Sequence, residues 1–255
     1  MRLLSAAALL ALSITAASAA EISVISPGVI SNSGLREVAA AFTQKTGTKV
    51  NIVVSGMGEI VGNIKGKSPA PDVVMLPMDL MSTLALENGI KPDSFTPLGR
   101  VDIGLFKKPD APHRDIATTA KFIAVMKTAS VVLYSDPVSG SMQAAMNAEM
   151  LKRPDFAGIK SQPVKGDAEP ALKRGDGDAN AMGLGLIHGA HPRDGKPTDN
   201  PYLIGPLPVE LGMHMDMATA INARSAAASD AQAFIRFATS PEMRDTWRKG
   251  GTDRY

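Results

Sequence analysis

A corner rich in small polar residues joins an apolar run to a helical pattern within Val131–Met150, VVLYSDPVSGSMQAAMNAEM. Apolar residues recur at helical spacing from Met142 onward, so a helix is predicted to begin at Ser139, Gly140 and Ser141. The first backbone N–H groups of a helix lack intrahelical acceptors, and together with serine hydroxyls they can hold an anion. The corner is therefore predicted to be an anion cradle, with an ordinary helix N-cap as the alternative.

A second helix start of this kind follows Ser55, at Gly56, Met57 and Gly58. Farther along the chain, Arg100 could supply a full positive charge and a planar fork that suits a carboxylate. The alternative for Arg100 is a solvated surface arginine. Two helix starts and one arginine facing one cleft would favour anions, because a helix N-terminus carries partial positive charge.

Two patterns that could suggest metal binding fail on spacing. The run that begins at Asp176 opens like a calcium loop, but Ala181 and Ile187 occupy the sixth and twelfth positions, where such a loop has Gly and Glu. His188 and His191 lie in a Pro- and Gly-rich run, with no carboxylate or cysteine at the spacing of a zinc site. We interpret both as surface histidines and predict no metal and no cofactor.

The string Met213–Met217, MHMDM, contains soft sulfur ligands that would suit Cu(I), and His214 lies within it. Its alternation is equally typical of a half-buried strand, which is the interpretation we favour. Hydrolase chemistry has no support, because there is no G-x-S-x-G motif and no serine with an identifiable histidine partner. We therefore predict no catalytic residues and a protein that is not an enzyme.

Alternating strands and helices position these residues. A first βαβαβα series has predicted strands at 22–26, 49–54 and 72–76 and predicted helices at 32–44, 56–64 and 78–87. A second series has a helix at 115–127, a strand at 130–134, a helix at 141–152, a short helix at 169–173 and an apolar segment at 181–187. This alternation predicts an α/β fold of mainly parallel sheets flanked by helices, with a binding crevice at the carboxyl ends of the strands.

The last third of the chain contains a predicted surface insertion at 188–201, where Pro, Gly and Asp are too frequent for regular structure. A strand is predicted at 213–221. Asp230 is predicted to cap a helix that carries apolar residues inward, namely Phe234, Phe237 and Ala238. A final helix is predicted after Ser240, with Met243 and Trp247 on its buried face.

The chain opens with the features of a secretory signal peptide: Arg2, an apolar run from Leu3 to Ile14 and a string of small residues that ends at Ala20. We expect cleavage after Ala19 or Ala20 and export to the periplasm. No later stretch approaches the roughly 20 uninterrupted apolar residues of a membrane span, so the mature protein is not expected to be embedded in a membrane. The absence of cysteine excludes disulfides and a lipoprotein anchor.

Composition argues against nucleic acid as a partner. The chain carries 27 basic and 25 acidic side chains, and only Arg2 falls in the predicted leader, so the mature protein is near neutral. Aromatic residues make up 4% of the chain, which leaves few side chains for base stacking.

Seven segments in this order resemble ABC-transporter solute-binding proteins of the two-lobed periplasmic type II, in the branch similar to molybdate-binding proteins. They are SPGVISN, VSGMGEI, PAPDVVMLP, GRVDIGLF, YSDPVSGSM, GPLPVEL and FIRFATSPEMRDTW. The resemblance implies two α/β lobes, a hinge of two crossover strands, and one ligand held in the cleft and delivered to a membrane permease. We expect a monomer with residues 1–20 as signal peptide, 21–100 and 209–255 as the first lobe and 101–208 as the second.

The same resemblance locates a departure in the predicted site, whose first loop contains Pro27 and Gly28. Molybdate-binding relatives hold their oxyanion partly with hydroxyl groups, at positions that correspond here to Val29, Gly58 and Gly183. An oxyanion site loses about 1 to 3 kcal/mol for each hydrogen-bonding partner left unpaired, unless Ser55, Ser139 or Ser141 compensates.

The predicted cleft is therefore wider and more apolar than a tetrahedral oxyanion needs, with Val29, Met57 and Met182 along its wall. The predicted ligand is a small anion, with an organic carboxylate favoured and molybdate or tungstate as the alternative. A metal-handling exported protein or a hydrolase is the alternative of another class.

Overall fold

The computed structural model describes residues 20–66, 70–139, 141–187 and 200–255. The predicted signal peptide, Gly140 and most of the predicted insertion at 188–201 lie outside the described residues. None of the helices within the described ranges is long and apolar enough to cross a membrane.

Strands and helices alternate through most of the described chain. The strands are β1 (Glu21–Ser26), β2 (Lys49–Val54), β3 (Val73–Pro77), β4 (Thr96–Lys107), β5 (Val132–Ser135), β6 (Ser161–Val164), β7 (Met182–Leu186), β8 (Leu203–Pro206), β9 (His214–Ile221) and β10 (Thr252–Asp253). The α-helices are α1 (Gly28–Ile30), α2 (Arg36–Thr46), α3 (Met57–Lys65), α4 (Met78–Leu86), α5 (Thr119–Met126), α6 (Met142–Leu151), α7 (Ala168–Arg174), α8 (Ala228–Ala238) and α9 (Arg244–Gly250).

The strands form a mixed sheet in the order β2-β1-β3-β9-β4-β7-β5-β6, with β8 and β10 paired to β4. Strands β2, β1 and β3 run parallel, as do β6, β5 and β7. The pairings of β4 and β9 are antiparallel. Parallel strands need crossover connections, and helices provide them, so the predicted α/β fold class is confirmed.

Strand β4 changes partners halfway along its length. Its first part, Thr96–Asp102, pairs with β9, and its second part, Ile103–Lys107, pairs with β7. Gly104 lies where the second part passes closely over its neighbours, and a Cβ there would lie 2.8 Å from Ile187 Cγ1. The strand thus connects two halves of the sheet, while the lobe boundaries at residues 100 and 208 remain predictions.

The predicted series of strands and helices is confirmed, with ends shifted by a few residues. One predicted cap is wrong: α8 begins after Ala227, so Asp230 lies in its first turn, where a carboxylate still favours the helix dipole. Strands β4, β6, β8 and β10 were not assigned from the local sequence pattern. Strands β6 and β8 are four residues long and contain proline, which weakens the strand pattern.

Aromatic residues from α2, α8 and α9 pack behind β1. Phe42 and Phe234 meet edge to face with ring centroids 5.3 Å apart, and both are buried. Trp247 is fully buried and donates its Nε1–H to the Ala238 carbonyl at 2.7 Å. The C-terminal helices therefore support the half of the sheet that contains the first strands, which the sequence could indicate only as buried helix faces.

Candidate functional site

A cleft of ≈ 270 Å³ opens where the strands of both sheet halves end. It lies at the carboxyl ends of β1, β2, β5 and β6, which is the edge where open α/β sheets bind ligands. The residues that line it are Pro27, Gly28, Val29, Asn32, Ser55, Gly56, Met57, Ser141, Met142, Gln143, Asp167, Leu186 and Met215.

The first wall is the turn after β1. The N–H groups of Ile30 and Ser31 both donate to the Pro27 carbonyl at 3.1 Å, which turns the chain into α1. A kink follows at Gly34, which has φ +115° and packs directly against Trp247. The kink separates the segment with Asn32, which is exposed at the cleft, from the start of α2.

The second wall is the start of α3, where Gly56 is the extended N-cap residue. Ser55 donates its hydroxyl to Glu59 Oε2 at 2.5 Å, and the Gly56 N–H donates to the same oxygen at 3.3 Å. The Ser55 hydroxyl, followed by the Gly56 N–H, lowers the pKa of Glu59. The hydroxyl proton of Ser55 is thus engaged within the chain, while the first-turn N–H groups of Met57 and Gly58 have no intrahelical acceptor.

The opposite wall belongs to the other sheet half. Ser141 is the N-cap residue of α6, and Gln143 lies in the first turn with only 2% exposure. Asp167 is the N-cap residue of α7, and its Oδ1 accepts the Ser135 hydroxyl at 3.0 Å. Of the described residues that line the cleft, Asp167 alone has an ionisable side chain.

Apolar side chains cover the rest of the surface. Val29, Met57, Met142, Leu186 and Met215 come from both sheet halves and from β9. Such a mixture of apolar wall and a few polar groups is typical of sites for small organic ligands. In the described part of the chain, no three His, Cys, Asp or Glu side chains lie together as a metal ion would require.

The structure brings together seven of the predicted site residues, which line this cleft. They are Pro27, Gly28, Val29, Ser55, Gly56, Met57 and Ser141. Ser139 ends the short 3-10 turn Pro137–Ser139 that precedes α6, and Gly140 lies outside the described residues. Gly58, Arg100, Met182 and Gly183 are described but do not line the cleft.

Arg100 lies away from the cleft and uses its fork inside the protein. Its Nε donates to Asp216 Oδ1 at 2.7 Å and its Nη2 to Asp216 Oδ2 at 3.0 Å. Tyr255 donates its hydroxyl to Asp216 Oδ1 at 2.5 Å. The two strands place Arg100 directly opposite Asp216, so the fork predicted for a ligand carboxylate is occupied by a carboxylate of the protein.

Gly183 and Met182 have structural surroundings. A Cβ at Gly183 would lie 2.9 Å from the Ala168 Cβ, so the glycine lets α7 pack onto β7 and does not widen the cleft. Met182 is buried in the core with 6% exposure. Gly58 has no atom within 4 Å of the position of a Cβ, because it lies on the open side of α3.

Sequence reasoning missed several residues of the cleft, namely Asn32, Met142, Gln143, Asp167, Leu186 and Met215. The sequence does indicate Asp167, because an Asp directly before a helical pattern marks a helix start. The starts of α3 and α6 were predicted from patterns of the same kind. The strand before Asp167 was not predicted, so its position at the end of a parallel strand went unnoticed.

Comparisons with known proteins agree with this architecture. The model of one protein family, described as bacterial extracellular solute-binding protein, matches residues 28–253. No curated protein matches the sequence.

Three solved structures share the fold at low sequence identity. A domain described as the substrate-binding domain of a molybdenum ABC transporter from Clostridium difficile has a TM-score of 0.72 and 13% identity, over 92% of this chain and 99% of that one. A tungstate-binding protein from Desulfovibrio alaskensis has a TM-score of 0.63 and 15% identity, over 93% and 99%. The periplasmic molybdate-binding protein of Azotobacter vinelandii has a TM-score of 0.62 and 14% identity, over 91% and 98%.

Proposed function

The chain belongs to the bacterial extracellular solute-binding proteins, and we propose that it captures a small organic carboxylate in the cleft for import by an ABC-transporter permease. In this proposal the mature protein works in the periplasm after removal of residues 1–20. It performs no chemistry on its ligand.

The observation that carries the proposal is the meeting of two helix starts across one cleft. Helix α3 begins on one sheet half and α6 on the other, and residues of both first turns line the same cleft of ≈ 270 Å³. Each start contributes backbone N–H groups and partial positive charge, which is the means by which many proteins hold a carboxylate or phosphate.

An organic carboxylate suits this cleft better than molybdate or tungstate, the ligands named for two of the structural neighbours. A tetrahedral oxyanion needs donors on every side, but the side chain of Val29 has no donor and the Ser55 hydroxyl is engaged by Glu59. Each oxygen left unpaired costs about 1 to 3 kcal/mol. The methyl and thioether groups of the wall instead match the carbon skeleton of an organic acid.

Closure of the two sheet halves over the ligand is part of the proposal. Two passages link the halves: β4, which pairs with β9 and then with β7, and the chain from β8 to β9. A rotation about these passages would cover a ligand that touches both halves. We expect compaction in small-angle scattering at saturating ligand, and an unchanged profile would contradict the closure.

The test of the function is calorimetry with acetate, propionate, glycolate, lactate, phosphate, sulfate and molybdate, preceded by a thermal-shift screen. A ligand at a hundredfold excess over its Kd raises stability by about 2.7 kcal/mol, which is easily detected. We expect one carboxylate per chain. Tight molybdate binding without carboxylate binding would overturn the proposal, as would stoichiometric copper or zinc in native mass spectrometry of the purified protein.

A pair of variants locates the binding. Asn32 is exposed and lines the cleft, whereas Asn63 is exposed on α3 outside it. Asn32→Trp should fill the cleft and abolish binding, and Asn63→Trp should bind like the natural protein. Equal binding by both variants would place the ligand elsewhere.

A further inference from the structure

The one ionisable side chain that lines the cleft, among the described residues, has the same sign of charge as the proposed ligand. Asp167 lies on the wall opposite α3, next to Ser141 and Gln143. No Lys, Arg or His lines the cleft within the described chain. A carboxylate in such a place repels a fully deprotonated anion, unless the ligand presents a hydrogen to it.

Asp167 is not used as a helix cap. It is the N-cap residue of α7, yet its side chain makes no capping hydrogen bond. It forms no salt bridge with another described residue. Its side-chain hydrogen bond joins Oδ1 to the Ser135 hydroxyl at 3.0 Å, and no described residue donates to Oδ2. The ordinary structural uses of an aspartate at this position therefore leave one oxygen without a donor.

Buried polar groups hold this carboxylate in place. Ser135 is 4% exposed and Gln143 is 2% exposed, and the Ser135 hydroxyl lies within reach of both Gln143 Oε1, at 3.4 Å, and Asp167 Oδ1. The Gln143 amide in turn reaches the Leu184 carbonyl at 3.5 Å. Such a supporting network orients an acceptor toward a ligand instead of leaving it mobile.

We infer that the ligand is an anion that carries a hydroxyl beside its negative charge, and that Asp167 accepts the hydrogen bond from that hydroxyl. The inference rests on the proposed function and deepens it. The charged group lies toward the starts of α3 and α6, the hydroxyl lies toward Asp167, and any carbon skeleton lies against Met57, Met142 and Met215. A hydroxycarboxylate meets all three conditions, and hydrogen phosphate meets the first two.

The experiment compares matched pairs of anions by calorimetry at pH 7. Glycolate and acetate differ by one hydroxyl, as do lactate and propionate. Hydrogen phosphate and sulfate are tetrahedral dianions of similar size, and only hydrogen phosphate carries an O–H group. We expect the member with the hydroxyl to bind at least tenfold more tightly within a pair. Preference in the carboxylate pairs identifies a hydroxycarboxylate as the source, and preference in the phosphate pair alone identifies a protonated oxyanion.

The variant Asp167→Asn removes the charge and keeps the shape and an amide oxygen for Ser135. It should reduce the preference for the hydroxyl to less than threefold and should strengthen the binding of acetate, propionate or sulfate. Asp79→Asn is the matched control, because Asp79 is an exposed aspartate in the first turn of α4, away from the cleft. The control should bind like the natural protein.

The outcomes separate the two proposals. Equal affinity within all three pairs, unchanged in Asp167→Asn, would overturn the role of Asp167, and it would leave the proposed function intact if a carboxylate binds. Absence of binding by every carboxylate in the panel, with folded protein confirmed by circular dichroism, would overturn the proposed function itself.

Discussion

The cleft and the Arg100 cluster, defined as Arg100, Asp216 and Tyr255, differ in the positive charge that they contain. The cluster contains a full positive charge, and a bidentate pair with Asp216 neutralises it. The cleft contains no described cationic side chain, and its walls include the starts of two helices. The cluster lies on the central strands β4 and β9, whereas the cleft lies where strands end and two helices begin.

The difference shows why an arginine is a poor guide to an anion site in a sequence. A guanidinium with a carboxylate directly opposite on a neighbouring strand forms its bonds within the protein and leaves nothing for a ligand. A helix start cannot satisfy its own first N–H groups, so it keeps its capacity for an anion in every folded copy.

The largest expected effect concerns the contact between Gly34 and Trp247, which supports one wall of the cleft. Gly34 has φ +115°, and a Cβ there would lie 2.9 Å from Trp247 Cε3 and 3.0 Å from Trp247 Cα. Gly34→Ala should lower the free energy of unfolding by about 2–4 kcal/mol, because strain and a clash with a buried backbone add together. Chemical denaturation measures this loss.

Gly47→Ala is the matched control for that change. Gly47 also has positive φ, +78°, but nothing lies within 4 Å of the Cβ position. It should lose only about 1 kcal/mol. Equal losses in the two variants would show that backbone strain alone matters and that Trp247 does not support the wall of the cleft.

The next effect separates the cluster from the cleft. Asp216→Ala leaves the half-buried Arg100 without its partner and should cost about 1–2 kcal/mol of stability, a value reduced by partial solvent exposure. Ligand affinity should change less than twofold. A large loss of ligand affinity in Asp216→Ala would indicate that the Arg100 cluster takes part in binding.

The same pair makes stability depend on pH. The hydrogen bonds from Arg100 are the main cause of the lowered pKa of Asp216. The stabilisation from Asp216 is therefore present above the ordinary aspartate pKa and is lost as the pH falls below it.

A smaller effect appears at alkaline pH. Partial burial and the hydrogen bond to Asp216 raise the pKa of Tyr255 to about 12. A raised pKa means that the stabilisation is complete below the unfolded value of about 10 and is lost as the pH rises toward 12. Because the residue is half exposed, the loss should be about 1 kcal/mol, and Tyr255→Phe should lack this pH-dependent part of the unfolding curve. Parallel curves for both proteins from pH 9 to 12 would contradict the assignment.

The smallest expected effect returns to the cleft. Glu59→Gln removes a negative charge beside the start of α3 while keeping an acceptor for Ser55 and Gly56. Anion affinity should rise about two- to fivefold at low ionic strength, and the gain should shrink at 1 M salt. Calorimetry at both ionic strengths checks it. A gain that persists at high salt would indicate a change of shape instead of charge.

Local patterns in the sequence were enough for most of the alternating strands and helices and for part of the cleft. The helical period from Met142 and the small residues at Ser141 and Gly56 predicted two helix starts, and the structure places both on one cleft. These features depend on residues a few positions apart, so they can be seen without knowledge of the fold.

Pairings between distant strands decided the rest. Arg100 and Asp216 are 116 residues apart, and only the register of β4 against β9 brings them opposite one another. Gly183 is small because α7 packs on β7, and Asp167 reaches the cleft because β6 joins the sheet beside β5. The sequence by itself determined the alternating elements, the helix starts and the family resemblance. Only the tertiary structure decided which charges face one another and which face the cleft, since that depends on long-range register that no local pattern encodes.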